Sequence, residues 1–162
     1  LGIIGDTHGR IHPGLATIFA GVQQIVHAGD IGGMKVLASL ENIAPVVAVR
    51  GNYDLEPEVQ KSLLPDPSRL LLAGLPVFLT HRLFTMSWED NKELYARLLS
   101  RLEPCPRLVI FGHTHFPVRE EILGIVFVNP GYAGPDPLEG RPTAARLEID
   151  AGRIRCEILP LD

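Results

Sequence analysis

Six short apolar runs, each cut off by a turn residue or a histidine, constrain this chain more than any other feature. "LGII" stops at Gly5, "QIVHA" at Gly29, "PVVAVR" at Gly51, "PVFLT" at His81, "RLVIF" at Gly112 and "IVFVNP" at Gly131. Short runs rich in Val and Ile and bounded in this way form strands buried on both faces. Amphipathic stretches separate them. Residues 14–20 and 34–40 are short helix candidates, and "SWEDNKELYARLLSRL" at 87–102 is the strongest. Ser87 is placed to cap that helix, Glu89 and Asp90 suit its first turn, and Pro104 ends it. Its expected buried face carries Leu94, Leu98 and Leu102, with Tyr95 and Leu99 beside it. Later, "VREEILGIVFVN" turns at Gly124 and "TAARLEIDAGRIRCEIL" turns at Asp150-Ala151-Gly152, each reading as a hairpin. Strand–helix alternation early and hairpins late predict an α/β chain with mixed sheets.

The 162 residues suit one compact domain, 1–162, that folds without a disulfide or a structural metal. Hydrophobic content of 46% with 21% charged argues against disorder and coiled coil. A net charge of −4 supplies no basic stripe, so an extended nucleic-acid groove is not expected, whereas a small phosphorylated ligand is compatible. Two cysteines, Cys105 and Cys156, fit a reducing cytoplasm. No apolar stretch approaches the roughly 20 residues of a membrane span, and no leader pattern is visible. The chain opens on Leu1 inside an apparent strand, which leads us to expect a few residues ahead of it. There is no internal repeat, and the Pro- and Gly-rich segment 133–142 reads as a loop inside the domain.

The polar residues that follow these runs carry the functional signal. Asp6 and His8 follow the first, Asp30 the second, Asn52 and Asp54 the third; His81 closes the fourth, and His113 and His115 the fifth. In an α/β sheet, loops at the carboxyl ends of strands converge on one edge. Gly-Asp and Gly-Asn alone are ordinary turn dipeptides, and a lone His-x-His is common at strand ends. Five strand ends delivering Asp, His and Asn in place of Lys, Ser and Glu point instead to first-row divalent cations. The preceding glycines, Gly5, Gly29, Gly51 and Gly112, allow sharp turns or close approach. Outside this set, His27 sits within a strand run and reads as a packed histidine, and His12 lies in a loop. Thr7 and Thr114 read as spacers or hydrogen-bond donors behind the ligands. Trp88 and Met86 are placed either in the wall of a cleft or under the long helix.

"GDTHG" at 5–9, "GD" at 29–30, "GNYD" at 51–54, "TH" at 80–81, "GHTH" at 112–115 and "NPG" at 129–131 together resemble the calcineurin-like metallophosphoesterase family. The short length and the "NPG" ending are most similar to its small prokaryotic phosphodiesterases, to which the retromer subunit of the same fold is also related. The resemblance implies a four-layer αββα sandwich of two mixed β-sheets flanked by helices, with a dinuclear site at one sheet edge. It assigns Asp6, His8 and His115 to one metal, Asn52, His81 and His113 to the other, and Asp30 as the bridge. His113 and His115 would thus serve different metals, with Gly112 supplying the bend. The catalytic set it implies is Asp30, Asn52, Tyr53 and His113, acting with two divalent ions on a small phosphate ester. Manganese heads the candidate metals, ahead of iron, zinc, nickel and cobalt. A hydroxide bridging the metals would attack phosphorus in line, and no protein nucleophile is needed.

Two positions depart from the family pattern. Tyr53 stands where many relatives have a histidine that protonates the leaving oxygen, and tyrosine is the weaker acid at neutral pH. Arg82-Leu83 follows His81 where small relatives often have Gly-His, making Arg82 either a phosphate contact or a surface residue. Asp54 is expected to orient a ligand from behind, and Arg50 to do likewise or to brace a loop carboxylate. The competing readings are a non-catalytic interaction scaffold on the same fold and a hydrolase of non-phosphate esters or amides. The complete ligand set disfavours the first, and the asparagine ligand disfavours the second. Cyclic nucleotides, nucleotide-derived diesters and phosphomonoesters remain open as substrates, with selection by loops 82–92 and 132–142. A homodimer is compatible with the chain.

Overall fold

A computed structural model describes residues 1–84, 87–134, 136 and 140–162 of the chain. The first sheet has the order β10-β9-β1-β2-β3. Its strands are β1 (Gly2–Ile4), β2 (Ile25–His27), β3 (Val46–Ala48), β9 (Thr143–Asp150) and β10 (Arg153–Pro160). The second sheet has the order β4-β5-β6-β8-β7. It is built from β4 (Ser68–Leu72), β5 (Leu75–Leu79), β6 (Leu108–Ile110), β7 (Val118–Ile122) and β8 (Ile125–Asn129). Both sheets are mixed. β1, β2 and β3 run parallel, and β9 joins β1 antiparallel. In the second sheet β5, β6 and β8 run parallel, and β4 and β7 flank them antiparallel.

Alternation along each strand explains the layers. In β1, Ile3 faces the other sheet and Ile4 faces outward; β6 sends Leu108 and Ile110 inward and Val109 outward. The inner residues of both sheets, among them Ile3, Val26, Val77, Leu79, Ile110 and Val128, form one shared core. The outer face of the first sheet is covered by α1 (Leu15–Ile18) and α2 (Met34–Glu41), which contribute Leu15, Val36, Leu37 and Leu40. The outer face of the second is covered by α4 (Trp88–Leu99), through Trp88, Ala96 and Leu99. The expected four-layer sandwich is therefore the observed one. Among the described residues, no helix is long and apolar enough to cross a membrane.

Local departures have clear causes. The buried face of α4 is Trp88, Ala96 and Leu99, while Leu94 and Leu98 are about half exposed. Trp88, rather than the leucine row, sets the rotation of the helix, because its ring packs against Phe111 and Phe127 at 5.4 and 5.2 Å. That settles Trp88 as a core residue; Met86 lies outside the described residues. Ser87 occupies the N-cap position without a side-chain cap hydrogen bond, and the helix closes at Ser100, ahead of Pro104. Two elements carried too little signal to be foreseen: β4, which pairs with β5 across Ala73-Gly74, and the five-residue α3 (Pro57–Lys61).

Candidate metal centre

The two parallel trios end at the same edge of the sandwich. Backbone bonds continue past the strands and lock the following loops together in pairs. Asp6 and His8 donate to the carbonyls of Gly29 and Asp30, and the amide of Gly112 donates to the carbonyl of His81, all at 3.0 Å. Within these loops Asp6, His8, Asp30, His113 and His115 all adopt positive φ, from 45° to 71°. Each such non-glycine residue costs on the order of 1 kcal/mol or more and persists only where its surroundings hold it. Five of the seven expected ligands are strained in this way, a concentration typical of functional sites.

One set of donor atoms is formed by Asp6, His8 and His115, and a second by Asp6, Asp30 and His81; in each, the ligand atoms lie within 4.8 Å of one another. The Nε2 atoms of His8 and His115 face each other at 3.4 Å. Asp6 Oδ1 lies 4.0 Å from the former and 3.4 Å from the latter. That oxygen is buried and accepts no hydrogen bond. An orphaned carboxylate oxygen facing two imidazole nitrogens is a poor arrangement without a cation, and a good one with it.

The second set gives the same answer by another route. His81 Nδ1 lies 2.8 Å from the carbonyl oxygen of Ala28, which can only accept, so Nδ1 carries the proton. Nε2 then faces Asn52 Oδ1 at 2.9 Å and Asp30 Oδ2 at 3.3 Å. A neutral ring would put its lone pair against two acceptors, so a proton or a metal ion must sit there. Asp30 Oδ2 is also 4.0 Å from His8 Nε2, which places this oxygen between the two sets.

The rings of His113 and His115 lie against different neighbours. The His113 ring packs edge-on to His81 at 5.1 Å, and the His115 ring to His8 at 5.4 Å. Both histidines have positive φ, so the divergence arises at the ligands themselves rather than at Gly112 alone. The His113 amide also donates to Asp6 Oδ2 at 3.1 Å. Among the described residues, the His113 ring nitrogens belong to neither set of close donors.

Glycine is required where the loops touch. A Cβ on Gly51 would lie 2.1 Å from Asp30 Oδ1 and 2.2 Å from the Asp30 amide. Gly29 has φ +91°, and a Cβ there would lie 2.6 Å from His81 Nδ1. By contrast, a Cβ on Gly5 would make only ordinary contacts of 3.5 Å or more.

Behind the donors lies a hydrogen-bonded brace. Asp54 is 2% exposed; its Oδ1 accepts the amides of Ile31 and Gly32, both at 2.9 Å, and its Oδ2 the amide of Gly51 at 2.8 Å. The carboxylate thus ties the loop that carries Asp30 to the loop that carries Asn52. The Tyr53 amide donates to Asp30 Oδ1 at 2.8 Å. Thr7 Oγ1 donates to the carbonyl of Ile31 and accepts from His27 Nε2, each at 3.0 Å. Asn129 donates to the carbonyl of Gly112 and to Thr114 Oγ1, which ties "NPG" to the histidine loop.

Three contributors were not singled out from the sequence. Asp66 Oδ1 accepts from Thr80 Oγ1 at 2.7 Å and from the His81 amide at 2.8 Å. Asn129 was visible only as part of "NPG". Tyr132 is buried, with its ring 4.9 Å from that of His115 and 5.9 Å from that of His8. Its position directly after "NPG" was the only available signal. Arg50 is exposed and forms no ion pair among the described residues, so the bracing expected of it is supplied by other groups, Asp54 among them.

Electrostatics follow this geometry. Burial opposes charge on Asp30, but the His81 contact and the Tyr53 amide outweigh it and hold the carboxyl below its ordinary range. Burial opposes charge on His81 as well, and its contact with Asp30 prevails and raises it. Burial, His81 and Arg82 lower His113, favouring the neutral ring that a metal ligand needs. An apolar groove of about 690 Å³, lined by Leu71, Pro76, Phe78 and Leu102 among others, lies at the opposite end of β5 and contains none of these donors.

Fold, strand-end placement and donor set together define a metal-dependent phosphoesterase. Residues 1–152 match the calcineurin-like phosphoesterase superfamily domain, and the chain belongs to that family. A protein of Methanothermobacter thermautotrophicus named "Probable metallophosphoesterase" is 29% identical over 98% of this chain and 91% of its own length. A phosphodiesterase of Methanocaldococcus jannaschii is 26% identical over 96% of both. Among solved structures, an archaeal phosphodiesterase superposes with a TM-score of 0.71 at 26% identity, over 98% of both chains. Vps29 of Entamoeba histolytica, solved with Zn²⁺, superposes with a TM-score of 0.73 over 99% of this chain and 98% of its own; at 23% identity it bears on the fold alone.

Proposed function

We propose that this chain is a dinuclear-metal phosphodiesterase. Asp6, His8 and His115 would hold one divalent ion, Asn52, His81 and His113 would hold the other, and Asp30 would contribute to both. The observation that carries this reading is the position of Asp30 Oδ2 between His81 of one set and His8 of the other, at 3.3 and 4.0 Å. When bound, divalent cations there would lower the pKa of water and neutralise charge on phosphoryl oxygens, the chemistry that phosphate-ester hydrolysis near neutral pH needs. The work of the chain is to hold the donors rigid: the Asp54 carboxylate and the Tyr53 amide fix Asp30, and the Ala28 carbonyl fixes the His81 tautomer. Tyr53 can hydrogen-bond the leaving oxygen through its hydroxyl. Arg82, exposed and close enough to depress His113, can meet a phosphate oxygen. Two aspartates against two divalent ions leave a surplus of positive charge for an anionic ester.

We read residues 1–162 as one metallophosphoesterase domain acting on a small phosphate ester in a reducing cytoplasm, which suits the free thiols Cys105 and Cys156. Manganese is the metal to test first. Metal-stripped protein refilled with Mn²⁺ should hydrolyse bis(p-nitrophenyl) phosphate faster than p-nitrophenyl phosphate, and Asp30→Asn should abolish turnover of both. Two bound metals without turnover of either compound would refute the enzyme reading and favour a scaffold on the same fold.

A further inference from the structure

The chain has ten aromatic residues of the Phe, Trp and Tyr type. Eight are buried or half-buried; only Tyr53, 66% exposed, and Phe116, 75% exposed, stand in solvent. Both adjoin the metal centre. Tyr53 directly follows Asn52, and its ring lies edge-on to His8 at 5.3 Å. Phe116 directly follows His115, whose ring lies 5.4 Å from that of His8. Each exposed ring thus belongs to a residue directly after an expected ligand in the chain, Asn52 or His115. Among the described residues, the Tyr53 side chain makes no hydrogen bond and its one ring contact is with His8, while Phe116 makes no ring contact, so neither ring is buried by packing. Leu55, 74% exposed, extends the apolar rim beyond Tyr53.

Scattered apolar residues on a surface need no explanation, but a domain whose two solvent-facing Phe, Trp or Tyr rings both belong to the loops of the donor set does. A flat ring attached to the phosphate would find aromatic faces to stack on at this edge.

We propose that Tyr53 and Phe116 form an aromatic rim that binds a planar aromatic substituent of the phosphate ester, selecting aryl and nucleoside esters over alkyl esters. This rests on the phosphoesterase reading and names the substrate class of that site. Stacking of one ring on one aromatic side chain corresponds to about tenfold in affinity.

The test is calorimetric binding of four ligands to the Mn²⁺-loaded protein: inorganic phosphate, methyl phosphate, phenyl phosphate and adenosine 5′-monophosphate. The aromatic ligands should bind at least tenfold more tightly than the other two. A preference shared by both identifies ring recognition, and one confined to the nucleotide identifies a nucleoside. Phe116→Ala and Tyr53→Ala should each erase most of that preference, and Tyr53→Phe, which keeps the ring, should retain it. Unchanged binding of inorganic phosphate by Phe116→Ala shows that the centre itself is intact. Equal affinity for all four ligands, or a preference that survives both alanine variants, overturns the rim and leaves the phosphoesterase reading standing. Failure to bind any of them, inorganic phosphate included, overturns both.

Discussion

Asp54 touches none of the donor atoms, yet its removal should damage both stability and metal binding. Its carboxylate accepts three backbone amides, from Ile31, Gly32 and Gly51, two of them in fully buried bonds. Asp54→Asn preserves the shape. If the amide keeps its oxygen toward Ile31 and Gly32, its NH₂ faces the Gly51 N–H, donor against donor. Losing that buried charge-assisted bond costs about 2 kcal/mol, and weakening the other two from charged to neutral adds about 1 kcal/mol. The expected loss is about 3 kcal/mol for Asp54→Asn and, with all three amides unsatisfied, about 4 to 5 kcal/mol for Asp54→Ala. In urea, with a slope of about 2 kcal/mol per molar, the midpoint of the metal-free asparagine variant should fall by about 1.5 M. Because Asp54 joins the loops of Asp30 and Asn52, metal should also bind about ten- to a hundredfold more weakly. An asparagine variant with an unchanged midpoint and undiminished metal affinity would refute the brace.

Other expectations follow from the same contacts. Gly51→Ala drives a Cβ to within 2.1 Å of Asp30 Oδ1 and 2.2 Å of its backbone, so elemental analysis of the purified variant should find it short of metal; full occupancy would show that the loop yields cheaply. Tyr132→Ala removes a buried ring packed on His115 and His8, which should cost about 3 kcal/mol or more and weaken metal binding, while Tyr132→Phe should preserve it. Burial lowers His27 from 6.5 to about 4, so above pH 6.5 the folded and unfolded chains are both neutral at this ring. As pH falls from 6.5 toward 4, the unfolded state takes up a proton that the folded state refuses. Stability should therefore drop by about 3 kcal/mol across that window. Metal-free His27→Gln should lose less over the same range, and parallel curves would contradict the assignment.

Much of the candidate site was legible because strand ends and the polar residues that follow them are local in sequence. Asp6, His8, Asp30, Asn52, His81, His113 and His115 each follow a recognisable apolar run, and parallel strands put their carboxyl ends at one edge whatever the details of packing. The glycines before them were legible in kind, and the structure separates Gly29 and Gly51, which steric contact requires, from Gly5, which it does not. The rotation of α4 was not legible: a leucine repeat looks like a buried stripe until Trp88 finds Phe111 and Phe127. Nor were the roles of Asp66 and Tyr132, whose partners lie 14 to 15 and 17 to 124 residues away in the chain.

The order of amino acids dictates the chemistry on offer: which donor types exist, that they follow buried strands, and that sheets with helices on their outer faces carry them. How the donors divide is a property of the assembled fold. It sends His113 toward His81 and His115 toward His8, places Asp30 Oδ2 between the two sets, and leaves one oxygen of Asp6 buried without a partner. The physical reason is range. Periodicity records whether a residue is buried, a property of its own strand, whereas a shared cation site depends on side chains from five loops meeting at hydrogen-bond distances. That meeting is set by how the two sheets pack and by the left-handed turns that the packed loops enforce.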